Sequence, residues 1–247
     1  MKRTLLIALC FATNLFAQEK FIIEYKQNTE VNEEKVKEFE REQQQNGKGF
    51  MKIGSGKDLY HQLEYNEGIS SFDRIQTVDN NQANGSVGAF SISMGGEMKA
   101  LVGNQSEKKY TQEVKLDGEN YVVNYPFKDY QWKISNEETT ILGYKVIKAI
   151  SEKENVEAWF TPAIQANVGP TQVNGLPGTV LKAIVQLKSK LETKLIYEAV
   201  KINTNPKRFT KLKESNAKVI TETEFKALKD ESKKKLMSTF GQGVDKG

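Results

Sequence analysis

A cluster of prolines and glycines between residues 158 and 178 constrains the fold of this chain more than any other feature. Three of the five prolines lie there, together with three closely placed glycines. Because proline fixes φ and lacks a backbone N–H, and glycine allows close approach or a positive φ, neither a helix nor a central strand can run through the block. The β-branched run over residues 179–185 is typical of a strand. The block is therefore predicted to be a rigid connector between two strands.

Segments on both sides of the connector have the alternating polarity and β-branched residues of antiparallel strands. Three strand pairs are predicted, over residues 110–116 with 119–125, 141–150 with 156–161, and 179–187 with 194–202. Asp117 and Gly118 are the residues that a tight primed turn requires within the first pair. Strands are also predicted at 21–25 and 59–65. Consecutive hairpins of this kind form a meander.

Two helices are predicted, one near each end of the chain. Residues 30–40 have helical spacing with only a thin apolar stripe, which is typical of a surface helix. Thr221 and Glu224 form a capping box for the second helix. The apolar stripe of that helix consists of Phe225, Leu228, Leu236 and Phe240. Its lysines are interpreted as a solvated face, with attraction to anionic lipid headgroups as the alternative.

These elements predict an α+β fold that is mainly antiparallel β. We expect a curved open sheet or half-barrel with an N-terminal and a C-terminal helix, whose concave face packs on a helix. By fold analogy alone, this architecture resembles the half-barrel of periplasmic lipoprotein carriers.

The N-terminus has the features of a secretory signal peptide. Lys2 and Arg3 precede a short apolar run, and Ala17 is a small residue at the expected cleavage site. The apolar run is too short to span a bilayer. We therefore predict a signal peptide over residues 1–17 and a mature chain over 18–247 that is periplasmic or secreted.

Composition limits the mature chain further. Removing residues 1–17 takes away two basic residues and no acid, so the formal net charge falls from +4 to +2, which argues against a nucleic-acid partner. Cys10 is the only cysteine, so the mature chain has no disulfide, and Leu9 before it disfavours lipidation. The length fits one domain, with a flexible insertion predicted at about 76–107.

The connector also carries a family resemblance. The residues that carry it are Trp159-Phe160-Thr161-Pro162, Gly169-Pro170 and Gly175-Leu176-Pro177-Gly178, preceded by Trp132, Ile141, Gly143-Tyr144 and Lys148-Ala149. With these motifs most of the mature chain resembles the GLPGLI family of secreted Gram-negative bacterial proteins. The name-giving hexapeptide ends here in Thr179-Val180, which keeps β-compatible residues, and Val146 stands where the family often has a cysteine. The resemblance implies an exported protein whose activity is uncharacterised.

Two segments resemble ligand-binding motifs but lack residues that the motifs require. Residues 54–57 resemble a phosphate-binding loop, but Met51 replaces its first glycine and Asp58 its Ser/Thr. Residues 79–85 resemble the start of a calcium loop, but Phe90 replaces the bidentate glutamate. Neither phosphate nor calcium binding is therefore predicted.

Candidate catalytic groups are few. His61, the only histidine, falls on the apolar face of strand 59–65 and is interpreted as a core or subsurface residue. Glu137 and Glu138 are the carboxylate pair that a hydrolase would use, but neighbouring residues of a strand point to opposite faces. No cofactor or metal is predicted, and an enzyme is the less favoured hypothesis.

The favoured function is a non-catalytic binding or chaperone-like module for an apolar ligand or an outer-membrane client. The alternatives are a carboxylate-dependent hydrolase and a purely structural envelope protein. Trp132 and Tyr144 are interpreted as core residues. A hairpin over 88–102 with Met94 and Met98 suits a pliable cover.

The predicted site lies in the sheet concavity beside the connector. Its residues are Trp159, Phe160, Pro162, Pro170, Gly175, Leu176, Pro177, Gly178, Met94 and Met98. A lipid or an outer-membrane protein is the expected partner. The competing expectation is a solid core without a cavity.

Overall fold

The structure is a computed structural model that describes residues 20–45, 58–75, 97–213 and 215–241. These residues form twelve strands and two helices. In chain order they are β1 (Lys20–Glu30), α1 (Glu33–Gln45), β2 (Leu59–Asn66), β3 (Ile69–Arg74), β4 (Glu97–Asn104), β5 (Lys109–Leu116), β6 (Glu119–Pro126), β7 (Lys133–Ile141), β8 (Tyr144–Ser151), β9 (Val156–Thr161), β10 (Thr179–Gln186), β11 (Lys194–Asn203), β12 (Lys218–Thr221) and α2 (Glu222–Gly241). The expected signal peptide and the segments 54–57 and 79–85 lie outside the described residues.

All twelve strands belong to one sheet, in the order β12-β6-β5-β4-β3-β2-β1-β11-β10-β9-β8-β7. Neighbouring strands are antiparallel except β12 and β6, which pair in parallel. Within the described residues, the edge strands β7 and β12 do not pair with each other. The prediction of a mainly antiparallel, open sheet is confirmed.

Two-residue turns with positive φ produce the hairpins. At Asp117 and Gly118, φ is +52° and +89°, the signs that a type I′ turn requires, and β5 pairs with β6 on either side. Leu142 and Gly143 have the same combination between β7 and β8. The other two predicted strand pairs form β8–β9 and β10–β11. Local turn chemistry therefore specifies the β5–β6 and β7–β8 hairpins, whereas longer loops join the other two pairs.

A short connection requires the sheet to curl. β6 and β7 are ten positions apart in the strand order, which is roughly 48 Å across a flat sheet at about 4.8 Å per strand. Residues 127–132 alone join Pro126 to Lys133, and an extended chain of that length reaches at most about 25 Å. The two sides of the sheet therefore approach each other, and the sheet has a concave inner face.

The inner face carries the core. On β1, Phe21, Ile23 and Tyr25 are fully buried and alternate with more exposed residues. They belong to a cluster that extends over β2 to β6 and β11, and a second cluster lies on β8 to β10. Buried side chains therefore fill the inner face along the described strands.

Both helices begin with side-chain caps. The side-chain oxygen of Asn32 accepts the backbone N–H groups of Glu34 at 3.0 Å and Lys35 at 3.3 Å, and α1 follows β1 in the chain. At α2, Thr221 N–H donates to Glu224 Oε2 at 2.7 Å, and Glu224 N–H donates to Thr221 Oγ1 at 3.2 Å. The predicted capping box is confirmed.

The second helix covers one end of the inner face. Phe225 is buried in the first core cluster and Leu228 packs against it, beside β6 and β12. Within the described residues, the inner face near β8 to β10 is covered by the connector and not by a helix. No helix among the described residues is both long and apolar enough to cross a membrane.

The predicted insertion at about 76–107 contains a strand of the sheet. Residues 97–104 form β4, which pairs with β3 and β5, and Leu101 is buried in the core. That part of the segment is therefore integral to the fold. Residues 76–96, with the predicted turn at Gly95-Gly96, lie outside the described residues.

Candidate functional site

Residues 162–178 connect β9 to β10 and lie over the inner face. The buried side chains of this connector are Ile164, Ala166, Val168, Val173 and Leu176, each at most 3% exposed. The first three pack into the first core cluster and the last two into the second. The predicted connector between two strands is confirmed. It forms a packed cover and not a rim around an open concavity.

Hydrogen bonds hold the connector against β10. Val180 N–H donates to Val168 O at 2.9 Å, and the hydroxyl of Tyr25, from β1, donates to Val180 O at 2.5 Å. The buried Thr179 hydroxyl lies 3.0 Å from the carbonyl oxygen of Ile164. Burial raises the pKa of Tyr25, so its phenol stays protonated and keeps its role as a donor.

The turn Gly175-Leu176-Pro177-Gly178 depends on both glycines. Their φ values are +83° at Gly175 and +151° at Gly178, which residues with a side chain rarely adopt. A Cβ at Gly178 would also overlap the carbonyl group of Thr161. Leu176 is buried, and its carbonyl accepts the Gly178 N–H at 2.8 Å across Pro177. Both glycines therefore have backbone roles in the turn.

The crossover between β6 and β7 packs on this turn through two stacked aromatic rings. The ring centroids of Tyr130 and Trp132 are 4.8 Å apart, with an interplanar angle of 9°. The Tyr130 hydroxyl donates to Gln172 O at 3.0 Å, and Trp132 Nε1 donates to Asn174 O at 2.9 Å. Each aromatic side chain is therefore tied to a residue 42 positions later in the sequence.

Asn174 links the connector to the far side of the inner face. It is buried, and its Nδ2 donates to Gln172 O at 2.8 Å and to the hydroxyl of Tyr110 on β5 at 3.3 Å. Burial raises the pKa of both Tyr110 and Tyr130. Both phenols therefore stay neutral and act as hydrogen-bonding groups rather than as nucleophiles or bases.

A surface pocket of about 360 Å³ opens between the crossover and the turn, and we call it the crossover pocket. Its lining consists of Lys128, Asp129, Tyr130, Gln131, Trp132, Ile134, Asn174, Gly175, Leu176 and Pro177. The Ile134 residue is 52% exposed, and Trp132 is half-buried. The lining is therefore mixed, with Trp132, Ile134 and Pro177 beside charged and amide groups, which suits an amphipathic partner.

Three of the predicted binding residues line the crossover pocket, namely Gly175, Leu176 and Pro177. Gly178 and Pro170 are buried within the connector. Phe160 is 1% exposed on β9 and belongs to the second core cluster. The Phe160 ring therefore contributes to core packing, and its role in binding stays a prediction.

The remaining predicted residues lie apart from the crossover pocket. Trp159 is half-buried on β9, where the Nζ atom of Lys148 lies 5.5 Å from its ring centroid. Pro162 is exposed at the start of the connector. Met98 is 49% exposed on β4 and does not line the pocket, and Met94 lies outside the described residues. The structure therefore does not bring Met98 to the connector turn.

Tyr130, Trp132 and Ile134 also line the pocket and were not among the predicted residues. Trp132 was interpreted as core, but it is only half-buried and contributes to the pocket wall. Tyr144 packs against the first core cluster, as interpreted. The alternation of these three apolar residues with polar ones was the available signal, although the chain is not extended there, because Gln131 has a φ of +50° and lines the same pocket.

The predicted carboxylate pair lies on the exposed edge strand β7. Glu138 forms a salt bridge with Lys145 at 2.7 Å, and Glu137 forms one with Lys148 at 3.3 Å. Neither carboxylate lines the crossover pocket. The two side chains therefore contact different partners and do not face a common site.

His61 lies at the margin of the core, as its position on the apolar face of β2 predicts. Its ring stacks on Phe72 with centroids 5.1 Å apart and an interplanar angle of 3°. Burial lowers its pKa to about 4, so the imidazole is neutral near pH 7. In the described ranges no group of three or more His, Cys, Asp or Glu side chains is placed to hold a metal ion.

Together these features define a class of protein, an open and curled antiparallel sheet whose inner face is covered by a Pro/Gly connector. Residues 150–182 match the sequence model of a family described as "Protein of unknown function (Porph_ging)". The matched residues include the connector and the start of β10. The predicted GLPGLI naming is consistent with that family. No curated protein matches the chain in sequence.

Solved structures show a similar fold. Two structures of PNGF-II, in space groups C2 and P21, superpose with TM-scores of 0.53 and 0.52 over 86% and 87% of this chain, at 15% and 16% identity. This chain spans about a third of the PNGF-II chains, 33% and 34%. The LolA superfamily protein NE2245 from Nitrosomonas europaea gives a TM-score of 0.33 at 7% identity, over 79% of this chain and 92% of that chain.

Proposed function

We propose that this protein is an exported, non-catalytic binding or chaperone-like module of the cell envelope, and that the crossover pocket holds an apolar or amphipathic partner. The observation that carries the proposal is the pocket itself, in which Trp132, Ile134 and Pro177 form an apolar wall beside Lys128 and Asp129. The proposed export rests on the sequence features of the N-terminus.

The rigidity of the wall supports binding. Tyr130 and Trp132 are hydrogen-bonded to the connector, and the turn beside them has its backbone restricted by Pro177. A partner therefore does not have to order these groups on binding. The exposed apolar surface of the pocket is small, so covering it contributes on the order of 1 kcal/mol. That gain is smaller than the cost of association, so the partner must also contact the surrounding surface.

The size of the pocket favours a protein segment over a whole lipid. Its volume of about 360 Å³ lies at the lower end of the range of small-molecule sites, roughly 300–1,000 Å³. The inner face beside it is occupied by core residues and the connector. We therefore place the partner at the pocket mouth and not in the concavity. An outer-membrane client that inserts one large apolar side chain is the first candidate, and a lipid chain is the second.

The proposed resemblance to a lipoprotein-carrier half-barrel is supported by the curl that the short β6–β7 crossover requires. The hydrolase alternative has no such support, because Glu137 and Glu138 contact separate lysines. A purely structural envelope protein is the outcome if the pocket takes up no partner.

The two tryptophans allow a site-specific test. A Trp159→Phe variant keeps Trp132 in the pocket as the only reporter, and a Trp132→Phe variant keeps Trp159 on β9. The probes are a synthetic peptide with the alternating apolar pattern of an outer-membrane strand, and a medium-chain fatty acid. We expect a saturable change in Trp132 emission with the peptide and no change in Trp159 emission.

A matched pair of surface variants tests whether the change in Trp132 emission comes from binding at the crossover pocket. Ile134→Ser should weaken peptide binding about tenfold, since it removes apolar contact area. Leu187→Ser changes a residue that is 39% exposed and outside the pocket and should have no effect. If neither probe gives a saturable change, or both variants behave alike, the binding function is wrong and a structural role replaces it.

A further inference from the structure

The segment that joins β11 to β12 crosses the outer face of the sheet. Six strands lie between β11 and β12 in the strand order, so the connection has to pass over them. We call residues 204–213 the strap. The path of the strap is known from its contact with Glu64 on β2. Tyr65, the next residue, packs on the core, and because successive strand residues point to opposite faces, Glu64 lies on the outer face.

Hydrogen bonds to the buried Glu64 hold the strap in place. The Glu64 residue is 7% exposed, and its carboxylate accepts the Thr210 N–H at 2.7 Å and the Thr210 hydroxyl at 2.5 Å. The same carboxylate accepts Gln62 Nε2 at 2.7 Å. Further along, the Ser215 side chain hydrogen-bonds Glu113 on β5. The strap is therefore fixed on the outer surface of the sheet.

The strap concentrates positive charge. Its four basic residues are Lys207, Arg208, Lys211 and Lys213, all exposed, and it contains no acidic residue. Several lysines of the sheet are paired instead; for example, Lys182 and Lys201 form salt bridges with glutamates of neighbouring strands. Among the described residues, none of the four basic residues of the strap has an ion-pair partner.

Apolar side chains lie between these cations. Leu212 is 42% exposed between Lys211 and Lys213, and Phe209 is half-buried after Arg208. Clustered cations attract anionic headgroups, and an exposed leucine among them adds apolar burial at the boundary of the acyl chains. Because the strap does not line the crossover pocket, a surface bound to it leaves the pocket open.

We propose that the strap is a docking surface for an anionic lipid bilayer, with the four cations on the headgroups and Leu212 in the interface. This inference goes beyond the proposed function, since it concerns a different face and a different partner. Charge complementarity selects the bilayer surface, because four exposed cations lie within residues 207–213, a segment that hydrogen bonds to Glu64 hold at Thr210.

The test is cosedimentation of the protein, as isolated from its native cells, with two kinds of vesicle. One kind contains phosphatidylglycerol and phosphatidylcholine in equal parts, and the other contains phosphatidylcholine alone. We expect at least about tenfold stronger binding to the anionic vesicles at about 0.1 M salt, and loss of this preference at about 1 M salt. The neutral vesicles are the control for membrane binding through the apolar N-terminal residues, which does not depend on lipid charge.

Two variants that lose the same charge show whether vesicle binding depends on the strap itself or only on the net charge of the protein. Replacement of the four basic residues of the strap by Gln should lower anionic binding at least about tenfold while leaving the melting temperature unchanged. Replacement of four scattered exposed lysines outside both the strap and α2, namely Lys20, Lys115, Lys188 and Lys194, by Gln should lower it less than about threefold. Equal effects of the two variants, equal binding to neutral vesicles, or preferential binding to a short DNA duplex would each overturn the proposal.

Discussion

Replacing Gly178 by alanine tests whether the connector turn is required for stability. The φ of +151° at Gly178 lies far from the left-handed well near +57°, and holding a residue with a side chain there costs on the order of 1–3 kcal/mol. The added Cβ would also overlap the carbonyl group of Thr161 and lie 3.0 Å from the Cα of Pro162. Because these are backbone atoms, no side-chain rotation relieves the contact. We expect Gly178→Ala to lower the free energy of unfolding by about 3 kcal/mol or more, and Gly178→Val by at least as much.

Gly143 provides the matched control. Its φ is +83°, and a Cβ there meets no atom within 4 Å, so Gly143→Ala carries only the conformational cost of about 1 kcal/mol. Urea and thermal unfolding measure both variants. Since 1 kcal/mol shifts the melting temperature by about 2–4 °C in a domain of this size, Gly178→Ala should melt roughly 6–12 °C below the unmodified protein. If the two variants are equally stable, steric overlap at Gly178 contributes nothing and the reasoning is wrong.

Three further predictions concern pH, the connector and export. Burial lowers the pKa of His61 from 6.5 to about 4, so the unfolded chain takes up this proton first as the pH falls. The free energy of unfolding should therefore be highest above about pH 6.5 and should fall by at most about 3 kcal/mol between pH 6.5 and pH 4. Urea unfolding midpoints measure this decline, and a His61→Phe variant should lack it. Asn174→Ala leaves the buried Tyr110 hydroxyl without its partner and should lower the free energy of unfolding by about 1–3 kcal/mol in the same assay. Mass spectrometry of the protein from the cell envelope should find Gln18 or Glu19 at the N-terminus, and a full-length cytoplasmic chain or an acylated cysteine would contradict export.

The local elements of this fold follow from the sequence. Asp117 and Gly118 select their own hairpin turn because the two residues adopt positive φ at low cost. Thr221 and Glu224 cap a helix through hydrogen bonds three residues apart. Pro177 and its flanking glycines exclude regular structure from the connector. Each of these features depends on residues that are neighbours in the chain, so a single sequence is sufficient to predict them.

The position of the site depends on contacts that the sequence does not encode locally. Residues 127–132 pack on the connector only because the sheet curls and brings β6 and β7 within reach of one short crossover. That curl is the sum of the twist and the bulges of many strands, and no single segment specifies it. For the same reason Trp132 was interpreted as a core residue, although the exposed Ile134 beside it makes it part of a pocket wall. The sequence by itself determined the strands, turns and caps, whereas the tertiary structure alone decided which of them meet, because the crossover pocket consists of two segments that become neighbours only when the whole sheet has formed.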